Sequence, residues 1–124
     1  MNVVDTSGWL EYFAGGGNAK KFAAPIKQFD QLIVPTICMY EISKVILRES
    51  DENHLLQALA VIQKGKIVAL TPSISTAAAK ISLQYKLPMA DSIIYTIATH
   101  FAATVWTQDI DFKGLPDVNY IPKN

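Results

Sequence analysis

Four carboxylates stand where globular chains rarely place them. Asp5 ends the apolar pair Val3-Val4, and Glu41 lies inside Ile37-Cys38-Met39-Tyr40-Glu41-Ile42. Asp91 falls between Leu87-Pro88-Met89-Ala90 and Ser92-Ile93-Ile94-Tyr95. Asp109 follows Val105-Trp106-Thr107-Gln108, with Asp111 two positions on. Flanks of this kind favour burial, and a lone buried carboxylate is costly without a partner. No Lys or Arg adjoins any of them; Lys44 and Lys113 are the nearest. The simplest missing partner is a divalent cation held by oxygen ligands. Such a centre points to metal-assisted phosphate chemistry.

Taken singly, each acid has an ordinary role open to it. Asp5 could cap a helix starting near Ser7, and Asp91 suits a helix N-terminus. Glu41 could turn to solvent or pair along a helix with Lys44 or Arg48. Asp109 and Asp111 could be turn residues after a strand. The joint pattern carries more weight than any one position.

The elements that must position these acids are legible in outline. Residues 2–5, Leu32-Ile33-Val34, Ile67-Val68-Ala69-Leu70, Thr104-Val105-Trp106-Thr107 and Val118-Asn119-Tyr120-Ile121 read as short apolar strands. Helical spacing is expected over 7–14, closed by Gly15-Gly16-Gly17, and over 18–29, interrupted by Pro25. Further helices are expected over 36–49, 51–64, 73–86 and 89–101. Thr71-Pro72 supplies an N-cap followed by proline at the first helical position.

Strands alternating with helices imply an α/β fold, a three-layer sandwich with a mostly parallel sheet of four to five strands. In such sheets ligands bind outside the carboxyl ends of the strands. Asp5 and Asp109 would share one rim if their strands are parallel and near neighbours. Asp91 and Glu41 would reach it from helices that dip toward that rim. Mg²⁺ and Mn²⁺ suit an all-oxygen site of this kind.

Composition narrows the class further. The chain has 124 residues, half of them hydrophobic, which suits one domain with one core over residues 1–124. No apolar run is long enough for a membrane span and no leader is visible, so a cytoplasmic protein is expected. The single Cys38 rules out an internal disulfide. Formal net charge is zero, with 11 acids against 11 Lys and Arg. Setting aside the five acids above leaves a surplus of five positive charges elsewhere. A polyanionic substrate is therefore compatible with the chain, although no basic stripe stands out. Lys20-Lys21, Lys44, Arg48, Lys80 and Lys86 are candidate phosphate contacts, each equally ordinary as solvated surface. Trp9, Tyr12 and Phe13 suit core or subunit interface better than base stacking. His54 and His100 lie outside the motif blocks and read as structural.

These blocks resemble PIN-domain ribonucleases, and specifically the VapC toxins of bacterial and archaeal toxin–antitoxin pairs. The matching pieces are Val3-Val4-Asp5-Thr6-Ser7, Val34-Pro35-Thr36 with Tyr40-Glu41-Ile42, Leu87 to Tyr95, and Trp106 to Phe112. The resemblance spans essentially the whole chain, in order. It implies an endoribonuclease with an Mg²⁺ or Mn²⁺ site built from Asp5, Glu41, Asp91 and Asp109. Asp111 is a fifth carboxylate of open role, and Thr6, Thr107 and Ser92 are hydroxyls that support the acids. Hydrolysis leaving a 5′-phosphate and a 3′-hydroxyl, a homodimer, and inhibition by a cognate antitoxin seated in the toxin groove are implied as well. One departure is Gln108, where the family often has a basic residue; it bears on a local phosphate contact, not on the metal site.

Rival classes fit less well. A phosphoacceptor receiver needs two adjacent acids after the first strand, and Thr6-Ser7 stand there. A haloacid-dehalogenase-like phosphatase needs Asp-x-Asp, and Ser7 occupies the second acid's place. A catalytically silent PIN domain acting as a binding module is the remaining alternative. Loss of an acid would mark it, and all four are present.

Overall fold

The computed structural model describes residues 1–124. Five strands form one sheet: β1 (Asn2–Val4), β2 (Leu32–Pro35), β3 (Lys66–Val68), β4 (Thr104–Thr107) and β5 (Val118–Tyr120). Their order is β3-β2-β1-β4-β5 and every pairing is parallel. Six helices flank it: α1 (Thr6–Ala14), α2 (Ala19–Ile26), α3 (Thr36–Glu49), α4 (Glu52–Ile62), α5 (Pro72–Tyr85) and α6 (Met89–His100). This is the α/β/α arrangement that the alternating pattern implies, with a wholly parallel sheet.

The central strands are buried on both faces, which is why they read as continuous apolar runs. Val3, Val4, Ile33, Val34 and Val105 are all fully enclosed. The edges differ. On β3, Lys66 and Ile67 are exposed, and the strand ends at Val68 rather than running on to Leu70. An edge strand has a neighbour on one side only, so its apolar residues are less covered.

Helix ends follow local chemistry. Asp5 caps α1 by accepting from the Gly8 amide, and Gly15 closes it with φ +66°, a left-handed turn that glycine adopts without a Cβ clash. Thr71 caps α5 with Pro72 in its first turn, as the sequence indicates. The second helix is shorter than its apolar pattern suggests. It ends at Ile26, one residue after Pro25, and Phe29–Gln31 forms a separate 3₁₀ turn. Proline removes a backbone donor and crowds the preceding turn, so the helix does not propagate far beyond it.

The core is one cluster of 23 buried residues drawn from the sheet and from helices on both sides. Helix α6 is the most enclosed of the helices. Its residues Ser92 to Ala98 are buried without interruption, because it packs against both α5 and the sheet. The first turn of this buried helix carries Asp91.

Candidate active site

Parallel register brings the first and fourth strands to the same rim. Val3 pairs with Val105 and Val4 with Trp106. The Asp5 amide then donates to the Trp106 carbonyl at 3.1 Å, placing Asp5 beside Thr107. Asp109 follows two residues later and caps the 3₁₀ turn Ile110–Phe112 by accepting from the Asp111 amide at 2.9 Å. That turn swings Asp111 back toward Asp109.

Carboxylate oxygens of Asp91, Asp109 and Asp111 come within 4.8 Å of one another, close enough for a shared metal ion. Asp111, whose role the sequence leaves open, is therefore one of the closest three. Asp5 and Glu41, expected as ligands beside Asp91 and Asp109, stand outside this group of three. Both are nonetheless neighbours of it electrostatically. The Asp91 carboxyl is pushed up to about 7, first by burial and then by Asp109, Asp5, Asp111 and Glu41. Burial also raises Asp5 to about 6 against the pull of its hydrogen-bond donors, with Asp109 adding to the rise. The Cys38 thiol, enclosed below, is pushed well above its ordinary range by burial, and Asp5, Glu41 and Asp91 all contribute.

Hydroxyls hold the two outlying acids. Thr6 Oγ1 donates to Glu41 Oε1 at 2.6 Å. Thr107 Oγ1 donates to Asp5 Oδ2 at 2.7 Å and accepts from the Asp109 amide at 2.9 Å, so one hydroxyl fixes two acids. Ser7 Oγ donates to Asp5 Oδ1 at 2.7 Å and accepts from the Gln108 amide at 3.2 Å. Sequence reasoning gave Ser7 no such role, although a Ser two residues after a capping Asp is a signal for this local contact. The expected supporting role of Ser92 is not seen. Its hydroxyl donates to the Met89 carbonyl at 2.7 Å, because a Ser in a helix turns readily onto the preceding turn.

No Lys, Arg or His side chain forms an ion pair with these acids. The ion pairs of the structure are Arg48–Glu49 and His54–Asp51, both exposed and neither involving the five carboxylates. An all-oxygen donor set, partly buried and mutually repelling, fits a hard divalent cation.

A groove opens beside the acids without enclosing them. With a volume of about 1100 Å³, it runs between α1 and the α3–α4 pair, lined by Leu10, Tyr12, Phe13, Ile46 and Val61. Ser7 and Gln108 line it too, which joins it to the acid-bearing rim. Trp9 is not at this surface; it is fully buried and stacks on Phe13. His54 borders the groove, exposed and bonded to Asp51, and His100 ends α6 in solvent.

A family model for the PIN domain matches residues 3–118. The chain belongs to the PIN-domain family. Solved structures agree on this fold. A toxin–antitoxin complex from Klebsiella pneumoniae contains a chain with 20% identity, TM-score 0.85 and full coverage of both chains. VapC20 of Mycobacterium tuberculosis, described as a sarcin-ricin loop cleaving toxin, is 15% identical with TM-score 0.80 over 98% of this chain and all of its own. VapBC2 of Rickettsia felis, solved on a promoter DNA fragment, gives 12% identity and TM-score 0.75 over 99% of this chain and 98% of that one. Identities this low speak for shared fold. No curated protein sequence matches the chain significantly. In this PIN domain the acids lie at the carboxyl ends of β1 and β4 and on helices α3 and α6, beyond the sheet rim where open α/β folds hold ligands.

Proposed function

We propose that this PIN domain, one domain over residues 1–124, is a metal-dependent endoribonuclease and the toxin half of a VapC-type toxin–antitoxin pair. One observation carries the reading: Asp91, Asp109 and Asp111 converge within 4.8 Å, with Asp5 and Glu41 pressing on Asp91 and no counter-cation among them. The names of the structural neighbours, toxins and toxin–antitoxin complexes, support the class.

Asp91, Asp109 and Asp111 would hold Mg²⁺ or Mn²⁺, with Asp5 and Glu41 completing the charge around it. When bound, such a cation supplies Lewis-acid stabilisation of phosphate charge and a lowered pKa for water. The chain's own residues set the geometry. Thr107 keeps Asp5 ionised and aimed by hydrogen bonding, and ties Asp109 to the same atom. Thr6 aims Glu41 by donating to its Oε1. Neither histidine hydrogen-bonds to the five carboxylates: His54 is bonded to Ser50 and Asp51, and His100 ends α6 in solvent.

The groove beside the site suits an apolar segment of an antitoxin, laid in as a helix or strand. A homodimer belongs to the same reading, and Leu83, Met89 and Ile110 are large apolar side chains left exposed for it. No helix is long and apolar enough to cross a membrane, and a cytoplasmic site of action completes the proposal.

The test is an RNA cleavage assay with Mg²⁺ or Mn²⁺, comparing the wild type with Asp5→Asn and Asp91→Asn. Metal-dependent cleavage by the wild type alone is expected. Equal cleavage by all three proteins would remove the site, and no cleavage of any RNA pool would remove the activity.

A further inference from the structure

Asn18 is a buried side chain whose hydrogen bonds have a forced direction. It is fully enclosed. Its Nδ2 donates to the Pro122 carbonyl at 2.9 Å and to Gln108 Oε1 at 3.1 Å. A carbonyl oxygen can only accept, so the Asn18 amide must present its nitrogen to Pro122. That nitrogen has two hydrogens, and the second can only meet an acceptor. Gln108 must therefore turn its oxygen inward and its Nε2 outward. Reversing Asn18 would set two oxygens against each other.

This orientation leaves Asn18 Oδ1 buried without a partner. Gln108 Nε2 has no protein acceptor and is not among the buried unpaired atoms, so it faces solvent. Gln108 also lines the groove, and its own backbone amide is held by Ser7 Oγ. The next residue is Asp109. A pair of neutral N–H donors thus stands, pre-oriented, on a groove-lining residue next in sequence to Asp109.

We propose that Gln108 contacts substrate, donating from Nε2 to an acceptor oxygen of the RNA strand beside the acidic cluster, and that Asn18 is the positioning residue that aims it. This rests on the nuclease reading for its substrate class.

The experiment uses the full chain. Binding of a labelled single-stranded RNA oligomer is read by fluorescence anisotropy on the Asp91→Asn background, and cleavage kinetics are read with Asp91 intact. Gln108→Met, equal in length but without donors, should weaken binding and raise KM by about tenfold, the scale of one lost hydrogen bond, with kcat and melting temperature little changed. Gln108→Lys should recover most of that loss. Asn18→Ala should weaken binding in the wild-type background and add little on top of Gln108→Met. Unchanged binding and KM in Gln108→Met, or an Asn18 effect that persists in full beside it, would overturn the proposal. If the wild type cleaves RNA and Gln108→Met matches it, the contact falls and the nuclease reading stands. If RNA is bound, and bound less well by Gln108→Met, yet never cleaved, the nuclease reading falls and the contact stands. An RNA that does not bind at all overturns both.

Discussion

Asp91 is the residue on which the site's energetics turn. Its carboxyl reaches about 7 and that of Asp5 about 6, against an ordinary value of 3.8 for both. Between pH 4 and 7 the folded chain thus holds protons that the unfolded chain has released, so stability falls as pH rises through this window and levels off above it. The metal-free protein should melt at a higher temperature at pH 5 than at pH 8. Asp91→Asn should flatten this dependence while lowering metal-dependent cleavage by at least about a hundredfold, a loss of a few kcal/mol of charge stabilisation. Adding Mg²⁺ should stabilise the wild type more at pH 8 than at pH 5, since protons compete for the same oxygens. Scanning calorimetry at the two pH values checks the melting predictions, which a pH-independent melting temperature for the wild type would contradict, and the cleavage assay checks the rate. Thr107→Val tests the shared hydroxyl. It removes a donor from buried Asp5 and an acceptor from the Asp109 amide, and metal affinity measured by calorimetry should fall about 10- to 100-fold. At this scale the acids themselves were legible, because each interrupts an apolar run. Asp111 was legible as a fifth acid of the metal set with its role open; its close grouping with Asp91 and Asp109 was not, since it depends on a 3₁₀ turn that the two-residue spacing does not announce. The partner of Ser92 and the amide relay through Asn18 were hidden for the same reason: both are contacts of geometry, not of residue type.

Helix α1 has to lie very close to the sheet for Thr6, Ser7 and the Gly8 amide to reach their acids. Gly8 permits that approach. A Cβ built there would sit 2.7 Å from the Phe22 ring and from Val4. Gly8→Ala should cost about 1–3 kcal/mol through overpacking, read as a lower denaturant midpoint at unchanged slope. It should also weaken metal binding, because the helix that carries three of the supporting groups is pushed outward. Retained stability and retained metal affinity would show that the helix can yield. Most elements were foreseen with their type, because central strands and amphipathic helices have distinct periods. Their ends were less so. The Pro25 helix stopped early, and β3 proved an edge strand, since apolar content alone does not say which strand has a neighbour on both sides.

Across the whole molecule, site and groove meet at Ser7 and Gln108, and α1 and α3 serve both, but different side chains of those helices build each. Binding of an antitoxin segment and RNA cleavage should therefore be separable. Val45 lines the groove from α3. Val45→Asp should weaken capture of a co-expressed antitoxin at least about tenfold, since a charge meets an apolar contact, with metal-dependent cleavage kept near the wild-type rate. A variant that binds antitoxin normally would move the partner elsewhere.

The residue order by itself determined which carboxylates are exceptional, which segments are strands and helices, and that the strands run parallel under helices. Those properties follow from local burial preference and period, which are written along the chain. Tertiary structure decided which acids converge. Strand order and register set Asp5 beside Thr107, a single turn brought Asp111 to Asp109, and a carbonyl near the C-terminus orients Gln108 through Asn18. Each of these joins positions distant in sequence or hinges on one dihedral choice, and only the packed fold settles such distances.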